Sequence, residues 1–304
     1  MEQKKNTGSG TEGTEAHHLP VMRKEVLDLL QVAENEDYVD GTLGLGGHAW
    51  EILEKSSPEG RLLGIDRDRE SLEKAGERLN HLSRVFLRHG SYDQTPAFLE
   101  ELGWGQVHGM LLDLGVSSFQ LLHPERGFSF LIDSALDMRM DLEEKVTARE
   151  LLNNLPEPRL EAIFREYGEE RFAKRIARSI VYSRREAPIG TTGELCKIVS
   201  RAVPFSKSRI HPATRVFQAL RIAVNRELEI LKTFLEKSPD FIKVGGVLAV
   251  LSFHSLEDRI VKMAFRSYKN FKILTKKPLT PSREEILQNP RSRSAKLRAI
   301  RRVE

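Results

Sequence analysis

Cysteine is almost absent from this chain. A single Cys196 among 304 residues excludes an intramolecular disulfide and any multi-cysteine metal site. That scarcity fits a reducing compartment, so a cytoplasmic protein is expected, with Cys196 packed as a small apolar residue rather than acting as a nucleophile. Long apolar runs are lacking too. None approaches the ~18 residues of a membrane span, and the polar N-terminus has no signal-peptide core, so no membrane partner is expected. No internal repeat and no metal-ligand cluster stands out, and the expectation for metals is none. With 39% hydrophobic and 30% charged residues, the composition is that of a globular protein. Its length suits one large α/β domain, or a core domain with a smaller one.

Charge is present but unevenly placed. The net charge is only +4, yet residues 262–304 hold 13 lysines and arginines against 3 acids. A second stretch, Lys197 to Arg226, has seven basic residues and no acid. Either block alone reads as a solvated surface. Two together point to a polyanion, because binding a phosphate backbone releases its counterions.

The hydrophobic pattern divides the chain into three parts. Residues 1–17 are polar, without apolar period, and are expected to be a disordered tail. From Val21 to about Met110, short apolar runs alternate with amphipathic stretches. Strands are expected at Tyr38–Gly41, Leu62–Asp66, Val85–Leu87 and Met110–Leu114, with helices from about Ala49 and from Glu70 to Leu79. That alternation predicts a parallel sheet covered on both faces. Residues 123–211 read as helical and are punctuated by Pro156, Pro158, Pro188 and Pro204. A long helix is expected over Ala213–Leu235, then strands at Gly245–Ser252 and Phe271–Leu274. The expected architecture is an α/β domain, residues 18–122 and 212–304, interrupted by an inserted helical domain, 123–211.

The chemistry concentrates after the first strand. Asp40 precedes Gly41-Thr42-Leu43-Gly44-Leu45-Gly46-Gly47-His48-Ala49, which contains Gly-x-Gly-x-x-Ala. Glycines permit a tight turn and close approach of a ligand, and the following helix N-terminus offers free N–H groups. Alone this is a weak signal, since a structural turn competes at even odds. Asp66, ending the second strand, stands where a carboxylate would accept ribose hydroxyls. Asp40 suits the ammonium of S-adenosylmethionine and would repel a pyrophosphate, which disfavours a nicotinamide dinucleotide. The fourth strand runs into Asp113-Leu114-Gly115-Val116-Ser117-Ser118-Phe119-Gln120. It sets polar groups where ligands sit in open α/β sheets, outside the carboxyl ends of the strands.

Long motifs then identify a family. They include His18-Leu19-Pro20-Val21, Asp40 to His48, Gly64-Ile65-Asp66-Arg67-Asp68, Leu111 to Ser118, Arg126-Gly127-Phe128-Ser129-Phe130 and Leu136 to Asp141. Tyr167 to Glu170, Phe217 to Ile222, Ser252 to Arg259 and Asn289 to Arg298 follow. With these the chain closely resembles the RsmH (MraW) family, the cytosine-N4 methyltransferases of bacterial small-subunit ribosomal RNA. The resemblance covers nearly everything after residue 17. It differs locally at His108, Tyr92, Phe119 and Ser134-Ala135, where the family commonly has Asp, Phe, Pro and Gly-Pro.

The resemblance implies a class I (Rossmann-like) methyltransferase sheet with an inserted helical substrate-recognition domain. The implied cofactor is S-adenosylmethionine, held by Gly46, Gly47, His48, Asp66, Tyr92, Asp113 and Gln120, with Asp40 added from the charge argument. The implied partner is 16S ribosomal RNA, within the small subunit or a late assembly intermediate, and a homodimer is one option for the oligomeric state. Asp113, Ser117 and Ser118 are the expected catalytic group, orienting the cofactor and the target amine. Arg139, Arg215, Arg221, Arg291 and Arg293 are expected phosphate contacts. Phe128, Phe130 and Phe253 are candidate base platforms, and His254 with Glu257 is placed near the site or capping a helix. The rival readings are a methyltransferase for DNA or a small molecule, and a non-catalytic ribosome-assembly factor.

Overall fold

The computed structural model describes residues 20–204 and 211–304. The expected tail over 1–17, the His18-Leu19 start of the first motif and positions 205–210 of the second basic stretch lie outside the described residues. The apolar runs form seven strands: β1 (Tyr38–Asp40), β2 (Leu62–Asp66), β3 (Val85–His89), β4 (Val107–Asp113), β5 (Ile242–Ser252), β6 (Phe271–Ile273) and β7 (Lys296–Arg302). Before the helical segment come α1 (Arg23–Leu30), α2 (Gly47–Lys55), α3 (Arg69–Leu79), α4 (Thr95–Glu101) and α5 (Ser118–Leu122). The middle of the chain forms α6 (Ala148–Asn154), α7 (Glu157–Glu166), α8 (Ala173–Ser183), α9 (Thr192–Ala202) and α10 (Thr214–Asn225). Then follow α11 (Glu227–Lys237), α12 (Ser255–Ser267) and α13 (Arg283–Gln288). Among the described residues no helix is long and apolar enough to cross a membrane.

The strands make one sheet in the order β3-β2-β1-β4-β5-β7-β6. The first five are parallel, and β7 enters antiparallel between β5 and β6. Alternation along each strand sends residues to opposite faces. In β5, Val247, Ala249 and Leu251 join the face covered by α1, α2 and α3, while Leu248 and Val250 join the face covered by α4, α11 and α12. Both faces are dry, which is why the central strands read as continuous apolar runs rather than alternating ones.

The middle helices bury a core of their own, built from Leu152, Phe164, Ile176, Ile180, Leu195, Val199, Val216 and Leu220 among others. Two expectations need correction here. The single long helix over 213–235 is two helices, because Arg226 adopts a left-handed conformation (φ 52°) between α10 and α11. Helix α10, expected to belong with the sheet, buries its apolar face up to Val224 in the helical core. The helical unit therefore extends past the expected return at residue 212.

Arg126 ties the two cores together. Its guanidinium meets Asp68 at 2.8 Å, with both side chains nearly inaccessible, and donates to the carbonyls of Arg139 and Met140. Asp68 also caps α3 and accepts from Gln120 Nε2. On the other crossing, Asn225 donates to the Met138 carbonyl and accepts from the Met140 N–H, while its own carbonyl receives Arg67. The segment around Leu136–Asp141 is thus pinned from both sides against the loop after β2. Removing one partner of a buried ion pair strands the other charge. Arg126→Met is expected to lower unfolding free energy by about 3–5 kcal/mol in urea denaturation, with Asp68→Asn in the same chain recovering part of the loss. Strict additivity of the two substitutions would show that the pair is not coupled.

Candidate active site at the carboxyl ends of the parallel strands

The turn after β1 is stitched to its neighbours by backbone chemistry. The Gly41 N–H donates to the Leu111 carbonyl of β4, and Leu43 N–H to the Ile65 carbonyl of β2. The hydroxyl of Thr42 accepts the Asp113 N–H at 2.6 Å, and Gly44 N–H reaches Asp66 Oδ2 at 2.6 Å. The chain then enters α2 through Gly46 at φ +75°, a left-handed conformation that a side chain would strain and where a Cβ would press on Leu79 at 3.1 Å. Gly44, also left-handed at φ +52°, would have its Cβ meet only the Ser117 Cβ, at 4.0 Å. The space beside Gly44 is therefore open, as a ligand cradle requires. Gly47 lies under Pro20, whose ring leaves no room for a Cβ there.

Three carboxylates converge on this turn. Asp40, 1% exposed, accepts the Thr42 N–H. Asp66 accepts from Gly44 and Asp68 N–H groups. Asp113 ends β4 with Oδ1 unpartnered and Oδ2 3.7 Å from Nε2 of buried His48. No lysine or arginine forms an ion pair with any of the three among the described residues. Burial accordingly pushes their carboxyls above the ordinary carboxylate range: Asp40 to about 7, Asp66 to about 6 and Asp113 to about 8. Mutual repulsion adds to burial, Asp66 acting on Asp40, and Asp40 with Glu257 acting on Asp113. Such a pocket is short of positive charge, which the ammonium and sulfonium of S-adenosylmethionine supply and a dinucleotide does not.

The remaining expected cofactor residues lie on the same rim. Tyr92 follows β3, buried edge-on against Phe234 at 5.5 Å, and burial holds its phenol well above the usual range. Gln120, 4% exposed, is committed at both ends: its oxygen accepts the Ser117 N–H and its nitrogen donates to Asp68. Ser117 caps α5 by accepting the Gln120 N–H, so its hydroxyl oxygen is already in use, and Ser118 opens the helix. That bond fixes the position of the loop.

The phosphate contacts divide. The expectation for Arg139 and Arg221 is corrected. Arg139 holds Asp137 through two nitrogens and also donates to the carbonyls of Leu142 and Glu144. Arg221 pairs bidentately with Glu227 at 2.9 Å, its side chain 17% exposed. Both guanidinium forks are taken by the fold. Among the described residues Arg215 donates to the Glu169 carbonyl alone and is exposed, as are Arg291 and Arg293 in the turn before β7. Phe128 and Phe130 are corrected as base platforms: they pack on the helical core, with Phe130 against Phe217 and His211. Phe253 packs on the sheet core.

His254 and Glu257, expected near the site or capping a helix, form the capping box of α12 and, with Glu227, which sequence reasoning missed, a buried network beside Asp113. Glu227, His254 and Glu257 bring ligand-capable atoms within 4.8 Å of one another. Each is engaged: Glu227 holds Arg221, and Glu257 accepts from the Phe253 and His254 N–H groups and meets His254 Nε2 at 3.1 Å. Asp68 and Arg126 were missed as well. Only the family motifs flagged these positions, because nothing in local periodicity marks a pairing across 58 residues.

Strand order, the antiparallel β7 and an acid-lined glycine turn at the switch between β1 and β4 define a class I S-adenosylmethionine-dependent methyltransferase. The model of the MraW methylase family matches residues 15–303, and the chain belongs to that family. A protein of Syntrophotalea carbinolica called ribosomal RNA small subunit methyltransferase H is 51% identical over 94% of this chain and 98% of its own length. Its namesake from a Geobacter species is 48% identical over 94% and 99%. Among solved structures, an rRNA methylase from Streptococcus thermophilus overlaps 92% of this chain and 95% of its own, at 11% identity and a TM-score of 0.45, a likeness too distant to bear on activity.

Linkage fixes a pH dependence. The raised carboxyls bind protons in the folded protein that the unfolded chain has already shed above about pH 4, so stability of the ligand-free protein falls as pH rises from there to about 8. A cationic ligand favours the ionised acids. S-adenosylmethionine should bind more tightly from about pH 6 to about pH 8.5 and release protons on binding, which calorimetry in buffers of different ionisation enthalpy reads directly. Asp113→Asn should flatten the upper part of that curve. Affinity that is level with pH would contradict this account of the pocket.

Proposed function

We propose that this enzyme methylates N4 of a decoding-centre cytosine in 16S ribosomal RNA of the small subunit. The observation that carries the reading is Asp113. It is a half-buried carboxylate at the end of β4, tied to the glycine turn by the bond from its own N–H to the Thr42 hydroxyl. The names borne by the two relatives, at 51% and 48% identity over 94% of the chain, support a small-subunit ribosomal RNA substrate. The motif resemblance supports the cytosine amine.

When bound, S-adenosylmethionine supplies a methyl group activated by its sulfonium. Asp40 would hold the ammonium, Asp66 the ribose hydroxyls, and the Gly44–His48 turn the space between them. Cytosine N4 is a weak nucleophile because its lone pair is delocalised into the ring. An acceptor on one of its N–H bonds draws the nitrogen toward a tetrahedral geometry and localises that pair. The Asp113 carboxylate is the acceptor. Its raised basicity, with a carboxyl near 8, suits it to take the proton the amine sheds as the new C–N bond forms. The Ser117-capped loop, fixed through Gln120 and Asp68, sets the wall against which the base lies. A base presented this way is unstacked from its strand, and Arg215, Arg291 and Arg293 are the cations left to hold the flanking phosphates.

Mapping modified cytosines by mass spectrometry, in small-subunit RNA from cells with and without the gene, tests the reading. One N4-methylated cytosine is expected to disappear, and an unchanged map removes the proposal. Asp113→Ala should reduce kcat by about a hundredfold or more while leaving RNA affinity intact. Charge reversal at Arg291 and Arg293 should weaken RNA binding and flatten its salt dependence.

A further inference from the structure

A second cationic feature lies on the opposite flank of the sheet domain. Helix α12 leaves the catalytic end of β5 and runs back along the sheet. Its Lys262 and Arg266, one turn apart on a single face, stand roughly 10 and 16 Å along the helix from its start. Between α12 and the edge strand β6 is a notch of about 20 Å³, ringed by Lys262, Arg266, Lys276 and Arg298 over a floor of Phe265 and Thr275.

The charges around this notch are one-sided. From Ile260 to Ser282 the chain holds six basic residues and no acid. Asp258, one turn before Lys262 on the same helix, is neutralised by Arg298 at 2.6 Å and Lys296 at 3.5 Å. Among the described residues, Lys262, Arg266 and Lys276 take part in no ion pair. Thr275 is nearly buried, 6% exposed, and its hydroxyl oxygen accepts the Ala299 N–H. Three unpaired cations around a notch of this size match a phosphate oxygen, and the notch has room for about one water-sized group.

We propose that this notch seats a backbone phosphate of the RNA, anchoring the substrate on the flank away from the reacting base. The inference rests on the ribosomal RNA substrate of the preceding section and extends it. Residues 275–282 climb the sheet edge beside β7, with Leu279 bridged to Leu297. They join the notch to Lys296, and through it to the turn bearing Arg293. The strand path runs from the catalytic end down the sheet edge, so the RNA is held at two separated points.

The test is the triple substitution Lys262→Gln, Arg266→Gln, Lys276→Gln, which leaves Asp258 and Arg298 in place. Expected are a Kd for small-subunit RNA raised about tenfold and a slope of log K against log salt reduced by about 2 for three lost single-strand contacts. Affinity for S-adenosylmethionine and kcat at saturating RNA should not change. The charge-conserving variant Lys262→Arg, Lys276→Arg should keep the original slope. If the triple variant binds RNA with unchanged slope and Kd while the unaltered protein binds and methylates it, this site is wrong and the substrate reading stands. Loss of slope in the charge-conserving variant would also overturn it, by assigning the effect to packing. An unaltered protein that neither binds nor methylates the RNA removes the substrate reading, and this site with it.

Discussion

The structure depends on gathering three carboxylates at the carboxyl ends of β1, β2 and β4 with no lysine or arginine pairing with them among the described residues. Ionised groups in such a place repel one another and forfeit hydration, and backbone N–H groups of Thr42, Gly44 and Asp68 offset part of that penalty at Asp40 and Asp66. The turn is therefore more than a binding loop. Gly44 and Thr42 are what allow Asp66 and Asp113 to sit beneath it, and the strands converge there because their ends are hydrogen-bonded to it. The protein stores the electrostatic asymmetry that a doubly cationic donor relieves, a preorganised arrangement of the sort that stabilises charge without reorganising when the ligand arrives.

The helical unit is held to this charged edge by a second buried pair. Arg126 reaches Asp68, and Asp68 reaches Gln120, which braces the loop carrying Ser117. Substrate-side and cofactor-side walls thus share one set of hydrogen bonds. A shift of the helical unit cannot leave the loop after β4 undisturbed, because the same carboxylate holds both.

Much of the sheet was legible in the sequence because it is buried on both faces. Leu62–Asp66 and the run ending at Ser252 are apolar at nearly every position, and Asp40, Asp66 and Asp113 mark strand ends by breaking such runs. Strand β7 was not legible. Its Lys-Leu-Arg-Ala-Ile-Arg-Arg sequence reads as a basic tail, yet it is buried from Leu297 to Ile300. Arg298 is acceptable inside because Asp258 pairs with it, and that compensation is 40 residues away. The break at Arg226 was hidden for a related reason. The apolar period continues across it from Val224 to Leu228, and only the left-handed backbone and the Asn225 contacts separate α10 from α11. Arg139 and Arg221 show the limit of charge counting: composition records a cation, while an adjacent carboxylate decides whether any charge is left to offer.

The placement of β7 has a consequence for how the chain is made. Translation delivers strands in sequence order, and domains begin to fold as they emerge. Residues 296–302 are synthesised after β6, yet they lie between β5 and β6 and, among the described residues, are the strand that β6 pairs with. Until they arrive, β5 presents an open apolar edge, and β6 has nothing to pair with. The donor pocket is assembled from the earlier strands alone, so loss of residues 296–302 would leave that pocket on a sheet whose sticky β5 edge is uncovered.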